Sequence, residues 1–190
     1  MIGIVLAGGS SKRLSIDKLL YPLRGTPMIL RVASTLARVE GVEKVVAVSS
    51  PWNASSLEEL GLEILIDELL LGPASGIYVA LRMFSEIIVV AGDMPFVTSS
   101  AIERLVSACP SGFDACLPRW SEGYLEPLCA VYRRGFLKAL ERGFVEGTLS
   151  VQRIVKGCRH LAIPVEAVFR DPRRELTNVN TLEDLAKLGA

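Results

Sequence analysis

The chain opens on an apolar run, Ile2-Gly3-Ile4-Val5-Leu6, which breaks into Ala7-Gly8-Gly9 and is followed by two cations, Arg13 and Lys18. A strand buried on both faces reads as a continuous apolar run, and a glycine pair after it lets the backbone turn tightly against a ligand. Cations beside such a turn supply donors and neutralising charge for triphosphate oxygens. The spacing matches neither the P-loop nor the dinucleotide glycine fingerprint, and a plain glycine turn with two solvated cations is the competing reading. The chemistry suggested is nucleotide binding at the carboxyl end of a strand.

Later segments carry groups suited to the same chemistry. A second apolar run over 87–91 leads into Gly92-Asp93-Met94-Pro95. A carboxylate just beyond a central strand lies at the edge where α/β sheets bind ligands, and Mg2+ in nucleotide enzymes takes one or two protein carboxylates, phosphate oxygens and water. Asp93 is therefore the predicted metal ligand, a turn cap being the alternative; Gly92 is expected to leave room for a ligand beside it. Asp67-Glu68 precedes Gly72-Pro73-Ala74-Ser75-Gly76, which is expected to open a helix over 77–84. Free N–H groups there suit an acceptor or nucleotide, and a turn-and-cap explanation serves equally. Asn178-Val179-Asn180 places two amides on one side of an extended segment, suited to a phosphate, a metal or a polar ring edge. Thr181 and Asp184 read as the start of a C-terminal helix around 182–188. Glu126-Pro127 opens a further strand, and Arg133 and Arg134 after it are read as solvated.

The elements that must position these groups alternate along the chain. Strands are predicted over 2–6, 45–48, 63–66, 87–91, 115–117 and 128–132, with a helix over 27–39 whose Ile29, Val32, Ala33, Leu36 and Val39 share one face. Such alternation predicts an α/β fold: a single-domain, Rossmann-like three-layer sandwich over 1–190, a mostly parallel sheet with helices on both faces.

Half of the 190 residues are apolar, enough for a sizeable core. Lys+Arg and Asp+Glu both number 21, so there is no general field to attract nucleic acid or an anionic membrane, and neither is expected as a partner. With no apolar run of membrane-spanning length and no leader pattern, a cytoplasmic location is expected. Cys109, Cys116, Cys129 and Cys158 are too widely spaced for a C-x-x-C pair or zinc ribbon and are read as small buried apolar side chains. His160 is given no role. The amides are only Asn53, Gln152, Asn178 and Asn180, a depletion that fits a heat-adapted source and makes the Asn-Val-Asn pair stand out.

The ordered set Leu6-Ala7-Gly8-Gly9, Asp17-Lys18, Asp67, Gly72-Pro73-x-x-Gly76, Gly92-Asp93-Met94-Pro95 and Asn178-Val179-Asn180-Thr181 spans nearly the whole chain. It resembles the molybdenum cofactor guanylyltransferases, the MobA family of the nucleotidyltransferase superfamily. The resemblance implies a nucleotide-diphospho-sugar transferase-like fold and Mg2+-dependent transfer of GMP from GTP to the phosphate of molybdopterin, giving molybdopterin guanine dinucleotide and pyrophosphate. It implies that Leu6, Ala7, Gly8, Lys18 and Asp67 contact GTP, and Gly9, Gly72, Pro73, Asp93, Asn178 and Asn180 are the further candidates for substrate binding. By the same likeness Asp93 holds Mg2+, with Mn2+ as a substitute; Asn180 is a further candidate ligand for the ion, and from their charge Arg13 and Lys18 are expected to act with Asp93 in catalysis. Implied partners are GTP, a molybdopterin-type acceptor and, transiently, cofactor-insertion or molybdoenzyme proteins, the chain itself being a monomer or weak homo-oligomer. Neighbouring readings are a guanylyltransferase acting on adenosylcobinamide phosphate or a sugar 1-phosphate, the cytidylyl counterpart of the molybdenum branch, and a non-catalytic nucleotide-binding domain. The chain departs from the family in a shorter entrance loop, in lacking an Asn near Ser49-Ser50, and in Glu126-Pro127 where a relative has His-Pro.

Overall fold

In the computed structural model, which describes residues 1–8, 18–180 and 184, seven strands form one sheet in the order β5-β4-β1-β6-β8-β7-β9. They are β1 (Ile2–Leu6), β4 (Lys44–Ser49), β5 (Glu63–Ile66), β6 (Glu86–Ala91), β7 (Ala115–Arg119), β8 (Cys129–Arg133) and β9 (His160–Pro164). All neighbours pair in parallel except at β8, which runs antiparallel to both β6 and β7. The start of β8 therefore lies at the same edge of the sheet as the carboxyl ends of the others. A two-residue hairpin, β2 (Pro22–Leu23) with β3 (Thr26–Pro27), feeds the first long helix.

Successive strand residues point to opposite faces, and each face here has its own core. Ile4, Val46, Val48, Ile87 and Val89 pack into one, against α3 (Pro73–Met83) and α5 (Leu137–Val145). Val5, Ala47, Ile88 and Val90 pack into the other, against α1 (Met28–Ala37) and α4 (Ser99–Ser107). This is why the central strands contain no polar alternation. Shorter helices are α2 (Ala54–Glu58), α6 (Val151–Ile154), α7 (Val165–Val168) and α8 (Pro172–Glu175). The expected three-layer α/β arrangement is present, and among the described residues no helix is long and apolar enough to cross a membrane.

Three details differ from the sequence reading. Helix α3 begins at Pro73 rather than at 77, because proline's fixed φ suits a first helical position and Gly72 before it adopts φ 76°. Cys109 and Cys116 are a disulfide rather than two free thiols: the end of α4 returns beside the start of β7, bringing their Cα atoms to 5.7 Å. Cys129 and Cys158 remain free thiols, and burial pushes that of Cys158 up to about 12. Arg133 is not solvated either. Its guanidinium binds Glu86 Oε1 at 2.6 Å and donates to the carbonyls of Cys109, Pro110 and Phe113, tying β6 to the loop after α4. The predicted C-terminal helix around 182–188 and its Thr181 cap fall outside the described residues, apart from Asp184.

The Tyr132 hydroxyl, fully buried, donates to the Pro127 carbonyl at 2.8 Å and fixes the turn that brings β8 to the ligand edge. Replacing it with Phe leaves that carbonyl buried and unpaired, a loss of about 1–3 kcal/mol. Thermal and urea unfolding of Tyr132→Phe should show it.

Candidate active site

Strand β1 ends at the middle of the ligand edge. Ala7 N–H donates to Val48 O at 2.9 Å, and Gly92 N–H donates to Leu6 O at 3.0 Å, so the turns leaving β1 and β6 are locked together. The side-chain space missing at Gly92 is taken by Leu19 and the Leu6 carbonyl: a Cβ there would lie 3.1 Å from Leu19 Cδ2 and 3.3 Å from Leu6 O. Gly92 thus serves close packing of the two turns, not the ligand room expected of it.

Asp93 follows at once. Its Oδ2 accepts from Lys18 Nζ at 2.8 Å, and the same ammonium donates to Asn180 Oδ1 at 2.9 Å. Residues 75 and 162 positions apart in sequence from Lys18 are thereby joined at one atom. The backbone supports the arrangement, because Val179 N–H donates to Asp93 O at 2.8 Å and the Val179 side chain packs with Leu23, Met28 and Phe96. Asn180 N–H is held in turn by Asp184 Oδ2 at 2.9 Å. Asn178 stays exposed, and the structure does not bring it to Lys18.

Beside this cluster lies a cavity of about 320 Å³, lined among the described residues by Leu6, Ala7, Gly8, Lys18, Gly72, Pro73, Asp93 and the neighbouring Leu19, Ala91 and Leu128. Of the residues singled out from the sequence, seven meet there. Gly9, Arg13 and Asp17 lie outside the described residues. Asp67 is near the same edge but faces inward. Its Oδ1 accepts from the N–H groups of Leu69 and Leu70, and its Oδ2 lies 2.6 Å from the Ser75 hydroxyl. Ser75 Oγ also accepts the Leu71 N–H at 2.9 Å. Asp67 and Ser75 together fold the 67–76 loop, which presents Gly72 and Pro73 to the cavity.

Two further groups, named in the sequence without a site role, are buried near this edge. Asn53, 3% exposed in the loop after β4, leaves its Nδ2 without an acceptor among the described residues; its rarity as an amide was the available signal. Glu126 is buried at the start of β8, within the field of Asp93, and burial pushes its carboxyl up to about 7 despite donors from Trp120 and the Leu128 N–H. Nothing in Glu-Pro foretold that burial.

The chemistry of the cluster suits phosphate and a divalent cation. Two hard oxygens, Asp93 Oδ2 and Asn180 Oδ1, converge on a single cationic atom, the donor chemistry Mg2+ takes from protein while phosphate and water complete its shell. Among the described residues no group of three or more His, Cys, Asp or Glu suited to a metal occurs.

A Rossmann-like sheet with Gly8 just after β1, a carboxylate after β6 and a lysine paired with it defines a nucleotidyltransferase of the nucleotide-diphospho-sugar transferase type. The chain belongs to the family described as MobA-like NTP transferase domain, whose model matches residues 3–163. It is 42% identical over 190 residues to a probable molybdenum cofactor guanylyltransferase of Pyrococcus furiosus, covering 99% of this chain and 96% of that one. A protein of the same name from Thermococcus gammatolerans is 41% identical over 189 residues, at 99% and 98% coverage. Among solved structures, molybdopterin-guanine dinucleotide biosynthesis protein A of Archaeoglobus fulgidus superposes with a TM-score of 0.83 at 29% identity, over 99% of this chain and 96% of that one. A CMP-2-keto-3-deoxy-manno-octonic acid synthetase complexed with CTP shares the fold at a TM-score of 0.71 and 16% identity, over 98% of this chain and 95% of that one.

The raised Glu126 carboxyl makes stability depend on pH in a definite sense. The folded chain keeps this proton up to about 7, whereas the unfolded chain releases it near the ordinary 4.5, so stability from this group is full below 4.5 and is lost as pH rises through 7. Glu126→Gln keeps an acceptor for both donors and removes the charge. Its melting temperature should match wild type near pH 4.5 and exceed it at pH 8, by up to about 3 kcal/mol of stability.

Proposed function

We propose that the chain acts as one nucleotidyltransferase domain over 1–190 and transfers GMP from GTP to the phosphate of a molybdopterin-type acceptor, forming molybdopterin guanine dinucleotide and releasing pyrophosphate. The convergence of Lys18, Asp93 and Asn180 beside the β1 turn carries this reading. The names and full-length similarity of the relatives support the choice of nucleotide and acceptor.

The acceptor is a phosphate monoester whose second pKa is about 6, so it is already largely dianionic near neutrality and needs no strong base. One of its oxygens attacks the α-phosphorus of GTP in line; the bond from that phosphorus to the bridging oxygen breaks, and the electron pair leaves on pyrophosphate. What opposes the step is repulsion between anions, so the protein's part is positioning and neutralisation. Leu6, Ala7, Gly8 and Gly9 bring backbone to the phosphates, and Gly72 and Pro73 close the opposite wall. Asp67 acts through that wall by holding its loop. Lys18 and Arg13 take up charge that develops on the departing pyrophosphate. Asp93 and Asn180 would hold Mg2+, or Mn2+ in its place, which supplies further neutralisation of the triphosphate. Asn178, exposed beside them, is placed to meet a substrate's polar edge.

Pyrophosphate release from GTP and molybdopterin tests the proposal. Asp93→Ala should lower turnover by on the order of 100-fold or more, about 3 kcal/mol or above, by comparison with the loss of other oriented charge contacts. Lys18→Ala should reduce rate and weaken GTP binding together. Acid quench should trap no guanylyl-enzyme. A covalent intermediate, or full turnover in folded Asp93→Ala, contradicts the mechanism.

A further inference from the structure

A second cavity, larger than the one at Lys18, lies elsewhere on the molecule. It measures about 720 Å³ and opens between α1, the loop from Pro95 into α4, and the segment 170–175, sharing no lining residue with the cavity at Asp93. Arg31, Arg38, Arg170 and Arg174 line it. Among the described residues none of the four forms an ion pair. Arg31 Nε is in addition shielded from solvent without an acceptor.

Two carboxylates share the wall, and both are engaged elsewhere. Glu175 Oε1 accepts the N–H groups of Arg170 and Asp171 at 2.9 and 3.1 Å, while its Oε2 accepts the Thr98 hydroxyl at 2.6 Å. Asp171 Oδ1 accepts the Arg174 N–H at 3.2 Å. These carboxylates fold the loop, and among the described residues the four guanidinium groups form no ion pair, so a chain of zero net charge carries a local excess of two positive charges in one concavity. Concave sites of one sign focus the field and concentrate counter-ions. The first turn of α4, a nine-residue helix, adds the positive end of its dipole at Ser99 and Ser100.

The wall also has a flat apolar part. Phe96 lies on it, with the Arg174 guanidinium 5.6 Å from the ring centroid, and Leu30 and Val97 stand beside it. Arginine over an aromatic face presents a platform on which a planar ring stacks. The volume is in the range of sites that enclose nucleotide-sized molecules.

We propose that this cavity binds a phosphorylated small molecule bearing a planar ring, at a site separate from the site of transfer, with its phosphate on Arg38 and Arg170 and its ring against Phe96 and Arg174. A purine nucleotide and a phosphorylated pterin both have this chemistry. Phe96 packs with Val179, whose neighbour Asn180 accepts from Lys18, so the two sites adjoin the same segment.

Calorimetry on the full chain carrying Lys18→Ala and Asp93→Ala isolates the second site from the first. GMP should bind with one equivalent, at least tenfold more tightly than inorganic phosphate. Adding Arg170→Ala and Arg174→Ala should weaken it at least tenfold, as should Phe96→Ala. Arg38→Glu, at an exposed position on the rim, gives the same test if the paired arginine variant does not fold. A parallel titration with 6-hydroxymethylpterin phosphate identifies which source is preferred. Absence of binding by both probes, binding indifferent to these arginines, or inorganic phosphate binding as tightly as GMP overturns the proposal.

Discussion

The Lys18 ammonium, 2.8 Å from Asp93 Oδ2 and 2.9 Å from Asn180 Oδ1, gathers three distant parts of the chain at one atom. Each is delivered by a different device. Asp93 comes at the end of β6, whose position beside β1 is fixed by two buried cores. Asn180 comes from a return segment pinned by the Val179 N–H to Asp93 O. Lys18 comes from the entrance segment, immediately before Leu19, whose side chain fills the space left by Gly92. A part-buried carboxylate at this edge needs a cation, and in the structure Lys18 supplies it. A divalent ion held by Asp93 and Asn180, as proposed, would supply that neutralisation in place of Lys18.

The balance of charge along the chain sharpens this constraint. With 21 cations against 21 carboxylates there is no overall field to hold a polyanionic substrate, so affinity must come from local arrangements. Lys18 is paired with Asp93 in the structure, whereas the arginines of the α1–α4 groove form no ion pair among the described residues.

Much of this was legible in the sequence because the central strands are buried on both faces. Val5 and Ile4 feed opposite cores, which demands an unbroken apolar run and makes β1, β4 and β6 plain to read. Asp93 could be placed because it follows such a run, and Asn180 because amides are rare. Its contact with Lys18, across 162 positions, depends on strand order and could not be read locally. The edge strand β9 mixes His160 and Pro164 with partly buried residues and carries no periodic signal. The start of α3 was hidden because Gly-Pro reads first as a turn, and the Cys109–Cys116 bond because spacing alone does not show where α4 ends relative to β7. Burial of Glu126 depends on the Pro127 turn, which in turn rests on the Tyr132 hydroxyl.

Calorimetric binding of GTP, CTP and ATP with Mg2+, to the wild-type chain and to Asp93→Ala, tests the central claim most directly. The account predicts a clear preference for GTP that is lost in Asp93→Ala with the fold retained. Preference for CTP, or GTP binding that does not need Asp93, would contradict it.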